Sequence, residues 1–139
     1  MLIVTNTAAV TLAPGQALTF NDVIWKSGCA ESFRGNGSFV SAGRGVFELS
    51  FEGNISGATA ATPIQLNLEI NGSPLPETTI IETPETADVF NSISRSTIIG
   101  NQGDCCNPNP GNVSITVVNT GTSTLTVGAN AKLSVKRIG

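Results

Sequence analysis

The sequence predicts an all-β chain: an antiparallel β-sandwich or jelly roll of about ten strands with nearly no helix. Three observations carry this expectation. Strand-like runs are separated by turn clusters at short, fairly regular intervals, no amphipathic helical period persists for three turns, and the stretch from Gly45 to Phe51 alternates with period 2. In that stretch Phe47, Leu49 and Phe51 fall on one face and Val46, Glu48 and Ser50 on the other, the pattern of a half-buried strand. The 139 residues are read as a single domain, and a domain of this size buries roughly two-thirds or more of the surface its unfolded chain exposes.

Taken in order, strands are expected at 2–5 and 8–12, and residues 1–11 read as a first strand or as an N-terminal arm able to add to a neighbour's sheet edge. Ala13-Pro14-Gly15-Gln16 turns the chain into a strand at 17–26, where Phe20 and Trp25 are the large apolar residues, placed in the core or at a subunit interface. The Gly-rich turn Arg34 to Gly37 leads into strands at 38–42 and 45–55, whose Phe39, Phe47, Leu49 and Phe51 are expected to pack the core. Strands at 64–71 and 76–82 flank the turn Asn71-Gly72-Ser73-Pro74. The segment Glu82 to Asp88 is the one place expected to allow a helical turn. A strand at 89–99 precedes a loop from Gly103 to Gly111, in which Pro108 and Pro110 cannot donate ladder hydrogen bonds, so the loop must leave the sheet for the rim of the sandwich. The closing runs 112–119, 124–128 and 131–137 alternate cleanly, as antiparallel strands with one buried and one wet face do.

Charged residues make up only 12% of the chain, against about 25% in a typical domain, so the polar surface must be built from Ser, Thr, Asn and Gly. With a net charge of −3 and seven Lys plus Arg, gathered only near Lys132 to Arg137, the chain lacks the positive footprint that nucleic acid requires. The opening Met1-Leu2-Ile3-Val4 has no preceding cation and no long apolar continuation, so it reads as neither a secretory signal nor a membrane span. Synthesis in a cytoplasm is expected, yet the composition is that of a displayed protein. Virion proteins released by lysis and spore-surface proteins reconcile the two.

The chemistry-bearing inventory is thin. There is no His and no Tyr, which removes the commonest general base and a frequent general acid. Glu82, Glu85 and Asp88 could pair as glycosidase carboxylates but read more simply as a solvated loop, and no enzyme is expected. Cys29, Cys105 and Cys106 are an odd number, and the adjacent pair fits disulfide geometry badly. Free thiols, and a bridge from Cys29 to Cys105 or Cys106 within or between subunits, both stay open. Three thiols without His leave a zinc site one ligand short. No cofactor is expected; calcium is the alternative, with Asp22, Asp88, Asp104 and loop carbonyls as oxygen ligands. As a sugar-stacking platform Trp25 is the strongest candidate, although core or interface is the simpler reading. The sequons at Asn36, Asn54, Asn71 and Asn112 are expected by chance in so Asn/Ser/Thr-rich a chain.

Phe39, five residues, Gly45, then Phe47, Leu49 and Phe51 at alternate positions resembles the central signature of the C1q and tumour-necrosis-factor-like jelly rolls. Phe20-Asn21-Asp22-Val23 and Phe33 to Gly37 are similar to the strand and turn that lead into it, so the resemblance covers residues 18–56. Phe47 stands where the family usually has Tyr, Leu49 replaces Phe, and the family's C-terminal signature has no match here. The chain looks most like the compact bacterial and phage versions. The resemblance implies a homotrimer packed around a three-fold axis through one sheet face. An independent motive is a surplus of apolar strand residues, among them Ile3, Val10, Leu12, Ile64, Leu66, Leu68, Ile80, Ile81, Val89, Phe90, Ile93, Ile98 and Ile99; the alternative is that they fill one large core. The functional expectation is a non-enzymatic virion structural protein, a trimeric capsid decoration or fibre component on the surface of a phage particle, with itself and a capsid protein as partners. The alternative is a receptor- or glycan-binding adhesion module on a phage tip or a bacterial or spore surface, with Asp104, Asn107 and Asn109 in the contact loop.

Overall fold

A computed structural model describes residues 1–33, 40–101 and 111–139. Phe39, Asp104, Cys105, Cys106, Asn107 and Asn109 lie outside the described residues. The described residues form thirteen strands: β1 (Leu2–Thr5), β2 (Val10–Leu12), β3 (Asp22–Lys26), β4 (Glu31–Phe33), β5 (Val40–Ala42), β6 (Gly45–Gly57), β7 (Ile64–Ile70), β8 (Ser73–Pro74), β9 (Ile80–Glu82), β10 (Asn91–Asn101), β11 (Val113–Asn119), β12 (Leu125–Val127) and β13 (Lys132–Arg137). They make two antiparallel sheets that face each other across one core.

The seven-stranded sheet is organised by β6, which has thirteen residues. Along one side β10 pairs without interruption from Asn91 opposite Ile55 to Asn101 opposite Gly45. Along the other side run β13, with Leu133 opposite Phe51, and then β12, with Val127 opposite Ile55. The register shifts by two residues between them, so Gly128 to Ala131 bulge out of what is otherwise one long strand. β1 and β2 line the far side of β13 and β12 in a single register, interrupted where Asn6 to Ala9 stands opposite that bulge. Asn6 ties the two irregularities together: its Nδ2 donates to the Gly128 and Ala8 carbonyls at 3.0 and 2.9 Å, and its Oδ1 accepts the Ala131 N–H at 3.0 Å. β3 pairs with β1 and closes the sheet at the edge opposite β10.

The six-stranded sheet runs β4-β5-β11-β7, with β8 and β9 both pairing with the outer side of β7. Its inward residues include Val40, Ile64, Leu66, Leu68, Ile115 and Val117, which meet Leu2, Val4, Phe47, Leu49, Phe51, Ile55, Leu133 and Val135 from the first sheet. Phe20, Phe47 and Phe51 are the largest fully buried side chains. Burying a ring of that size contributes roughly 1.5–3 kcal/mol relative to leaving it in water.

The structure departs from the sequence reading in several places. The strand expected at 17–26 begins only at Asp22, yet Leu18 and Phe20 are fully buried in the irregular approach to it, where the Leu18 N–H reaches the Val117 carbonyl at 2.7 Å. Trp25 is not a core residue: it is 58% exposed, because β3 is an edge strand with no sheet packed over it among the described residues. The helical turn lies not in 82–88 but at Pro76–Thr78, where Pro76 presets the backbone. There the Thr78 hydroxyl donates to the Leu75 carbonyl at 2.7 Å and accepts the Leu68 N–H at 3.0 Å. The strand expected at 76–82 is therefore only Ile80–Glu82. β4 and β8 were not anticipated. Of the apolar surplus, Leu12, Ile64, Leu66, Leu68 and Ile80 enter the core, whereas Ile81, Val89, Phe90 and Ile98 are exposed.

Phe47→Ala and Phe51→Ala are each expected to cost about 3–5 kcal/mol in denaturant unfolding; a loss below about 1 kcal/mol at both would mean that β6 faces the other way. A Cβ at Gly53 would lie 2.8 Å from the Ala131 Cβ, at the bulge. Gly53→Ala should therefore destabilise by about 1–3 kcal/mol, read from the same curves.

Candidate interaction surfaces

The outward face of the seven-stranded sheet is built from small side chains. One row of cross-strand partners runs Ser96, Ser50, Ser134, Ile3 and Trp25 across β10, β6, β13, β1 and β3. Alternation puts this row opposite the buried Leu49, Phe51, Leu133 and Leu2 positions, so it faces away from the core. Two charge pairs border it on β6 and β13: Glu52 with Lys132, 2.8 Å apart, and Glu48 opposite Lys136. Both members of the Glu52–Lys132 pair are about half exposed, so the pair adds little stability and mainly keeps the face neutral. The centre of the face thus carries short hydroxyl side chains, with acidic and basic residues set opposite one another beside it.

The edge formed by β9 and β10 carries half of the remaining large exposed apolar residues. Arg95 Nε donates to the Thr79 carbonyl and Thr97 Oγ1 to Glu77 Oε1, both at 3.2 Å, which ties β10 to the turn preceding β9. Around this edge Ile81 and Ile98 are each 61% exposed, and Val89 and Phe90 stand exposed just before β10. At the opposite edge, every residue of β3 is exposed.

Glu31 is the site residue that the sequence reading missed. It is buried in β4, where Oε1 accepts the Arg137 N–H at 3.1 Å and Oε2 meets the Met1 ammonium at 3.3 Å. Its partners are a backbone amide and an amino group, which leave no complementary side chain for a sequence pattern to reveal. It borders a hollow of about 620 Å³ lined also by Cys29, Arg44 and Arg137. Cys29 is exposed and free among the described residues.

Two of the carboxylates considered for catalysis share one hollow. Glu82 and Glu85 line a rim hollow of about 360 Å³ with Thr83, Thr86, Val89 and Asn91, and Asp88 is exposed in the turn that follows. Asp22 sits in β3, at the other edge of the sheet from the Asp88 side. No three of His, Cys, Asp or Glu come together as metal ligands among the described residues. Asn101 Nδ2 donates to the Gly43 and Gly111 carbonyls at 2.7 and 2.8 Å, so residues 101 and 111 are held together beside Gly43. No helix among the described residues is long and apolar enough to cross a membrane.

No protein-family model matches the chain, and no curated protein matches it by sequence. Solved structures do match. Eiger TNF from S. frugiperda aligns with a TM-score of 0.73 at 11% identity, over 99% of this chain and 91% of that one. Murine APRIL aligns at 0.56 and 8% identity, over 92% of this chain and 96% of that one. The PRD1 vertex protein P5 aligns at 0.48 and 10% identity, over 99% of this chain and 94% of that one. Two facing antiparallel sheets, ordered around β6 and aligned over nearly their whole length with a TNF, give this chain the tumour-necrosis-factor-like jelly-roll fold.

Proposed function

We propose that the chain is a non-enzymatic structural module that assembles as a homotrimer and is displayed on the surface of a phage particle, as a capsid decoration or fibre component. The observation that carries the assembly is the outward face of the seven-stranded sheet, with its row of Ser96, Ser50, Ser134 and Ile3 ending at the exposed Trp25. The short side chains of Ser96, Ser50 and Ser134 at its centre let a second protomer approach closely. The exposed Ile81, Val89, Phe90 and Ile98 supply apolar area that association would remove from water, at about 25 cal/mol per Å². Display is supported by a composition low in charge and rich in Ser, Thr and Asn, and the capsid or fibre proteins of the same particle are its further partners.

A second reading, a receptor- or glycan-binding adhesion module on a phage tip or a bacterial or spore surface, is favoured by one specific observation. Asn101 Nδ2 bonds the Gly43 and Gly111 carbonyls, which holds the described residues on either side of the expected contact residues Asp104, Asn107 and Asn109 to the sandwich.

Light scattering after size exclusion should give three times the 14.3 kDa chain mass, with and without reductant; a monomer in both conditions would remove the trimer. Ser50→Arg places a long cation in the middle of the small-residue row and should yield a folded monomer by circular dichroism. A trimer that persists in this variant would move the interface elsewhere. Display itself is checked by searching purified particles of the source for the chain, and its absence there, together with glycan-array binding by the isolated domain, would favour adhesion.

A further inference from the structure

We propose that the two ends of the sandwich are complementary docking surfaces, and that the end bearing Arg44 and Arg137 takes, head to tail, the end bearing Glu85 and Asp88 of another copy of this chain. The register assigns each residue to its end. β6 runs from Gly45, opposite Asn101, to Gly57, opposite Leu125, and Leu125 in turn lies opposite Leu12. Segments 26–31, 43–46 and 136–139 gather at the Gly45 end, where the Ser27 N–H reaches the Met1 carbonyl, the Gly43 N–H the Ala30 carbonyl and the Ile138 N–H the Val46 carbonyl, each at 2.8 Å. Residues 82–90 close the Gly57 end. The Ala61 N–H donates to the Pro84 carbonyl at 2.7 Å and the Asp88 N–H to the Gly57 carbonyl at 2.8 Å, and Pro84 is buried. The exposed Glu85 and Asp88 are therefore presented from backbone fixed to the sandwich.

Charge is divided between these ends. The Gly45 end has Lys26, Arg44, Lys136 and Arg137, all exposed. Its acids are already matched: Glu31 is buried against the Met1 ammonium and the Arg137 N–H, and Glu48 lies opposite Lys136. The Gly57 end has Glu82, Glu85 and Asp88, and the segments that build it, 13–16, 58–63, 82–90 and 120–124, contain no Lys or Arg. This division identifies the occupant. Two like ends brought together repel, whereas each end complements the other. Apolar side chains accompany both charges, with Met1 and Ile138 exposed at the basic end and Val89 at the acidic one. The basic end is also concave: Arg44 and Arg137 line the hollow of about 620 Å³, which can admit the loop carrying Glu85 and Asp88. Because the two surfaces differ, the contact is heterologous, and copies stacked in line with the strands each leave one basic and one acidic end open for the next. The row of Ser96, Ser50 and Ser134 faces sideways to that direction, so the end contact needs no part of the three-fold reading.

Sedimentation velocity of the full chain under reductant, from about 10 to 500 μM, tests this at two salt concentrations, about 20 and 500 mM, where charges are screened over roughly 20 and 4 Å. The expected result at low salt is growth through successive multiples of whatever mass is present at low concentration, lost at high salt. Arg44→Glu and Glu85→Lys should each weaken the growth roughly tenfold or more, with circular dichroism unchanged because both side chains are exposed. An equimolar mixture of the two variants should regain it, since each brings the native end that the other lacks. A single mass across the whole range, growth that stops at one doubling, growth indifferent to salt or to either reversal, or a mixture that stays at the basal mass would each overturn the proposal. Retention on a dextran sulfate column without self-association would overturn it too, by giving the basic end to an anionic polymer. Growth is scored against the basal species, trimer or monomer, so a trimer lost in Ser50→Arg and a failure of the end contact are read separately.

Discussion

The structure depends on the double pairing of β6. Its thirteen residues are bonded along one side by β10 and along the other by β13 and β12, and its inward Phe47, Leu49, Phe51 and Ile55 run through the middle of the core. A slip of one residue against either neighbour would turn those side chains into water and bring Glu48, Ser50 and Glu52 inside, so burial and hydrogen bonding enforce the same register. The glycines of this strand mark where other parts close in on it: Gly53 under Ala131, and Gly57 under Pro84 and Ile64. Every other strand of the sheet takes its place from this one, either directly or through β12 or β13.

A sandwich also has to satisfy the backbone at its ends, and here that work falls to buried amides rather than charges. Asn6 joins the two opposed strand irregularities, and Asn101 holds residues 101 and 111 together beside Gly43. Asn119 donates to the Leu12 and Ser123 carbonyls and accepts the Gly121 N–H, while Asn67 links Leu75, Thr79, Gln65 and Thr120. An amide offers two donors and an acceptor without the desolvation cost of an ion, which is how a chain with 12% charged residues fixes its loops. No buried side-chain polar atom lacks a partner among the described residues.

Period-2 alternation made most of the fold readable, because wherever a strand has one wet face its pattern is written residue by residue, as in β6, β11 and β13. It failed where position in the sheet, rather than local pattern, decides the outcome. Trp25 sits in a run that looks as apolar as a core strand, and only the strand order makes β3 an edge. Leu18 and Phe20 are buried without strand geometry, and β4 and β8 are too short to show a period. Among the candidate surfaces, the small-residue row could not be seen beforehand, since Ser50, Ser96 and Ser134 are ordinary surface residues until the register aligns them. The buried Glu31 was hidden for the same reason.

The adjacency of β1 and β13 also governs the order in which the chain can fold. Leu2 to Thr5 lie between β3 and residues 132–135, so the earliest strand to be synthesised waits for one of the last before its inner side is paired. Contacts so distant in sequence close slowly, on a scale of about milliseconds to seconds for sheet proteins of this kind. β1 can pair early with the nearby β3, but its other side stays open until β13 arrives, and without β13 both β6 and β1 would keep an open side in the centre of the sheet. A chain cut short of Lys132 would lack the strand that joins β1 to β6.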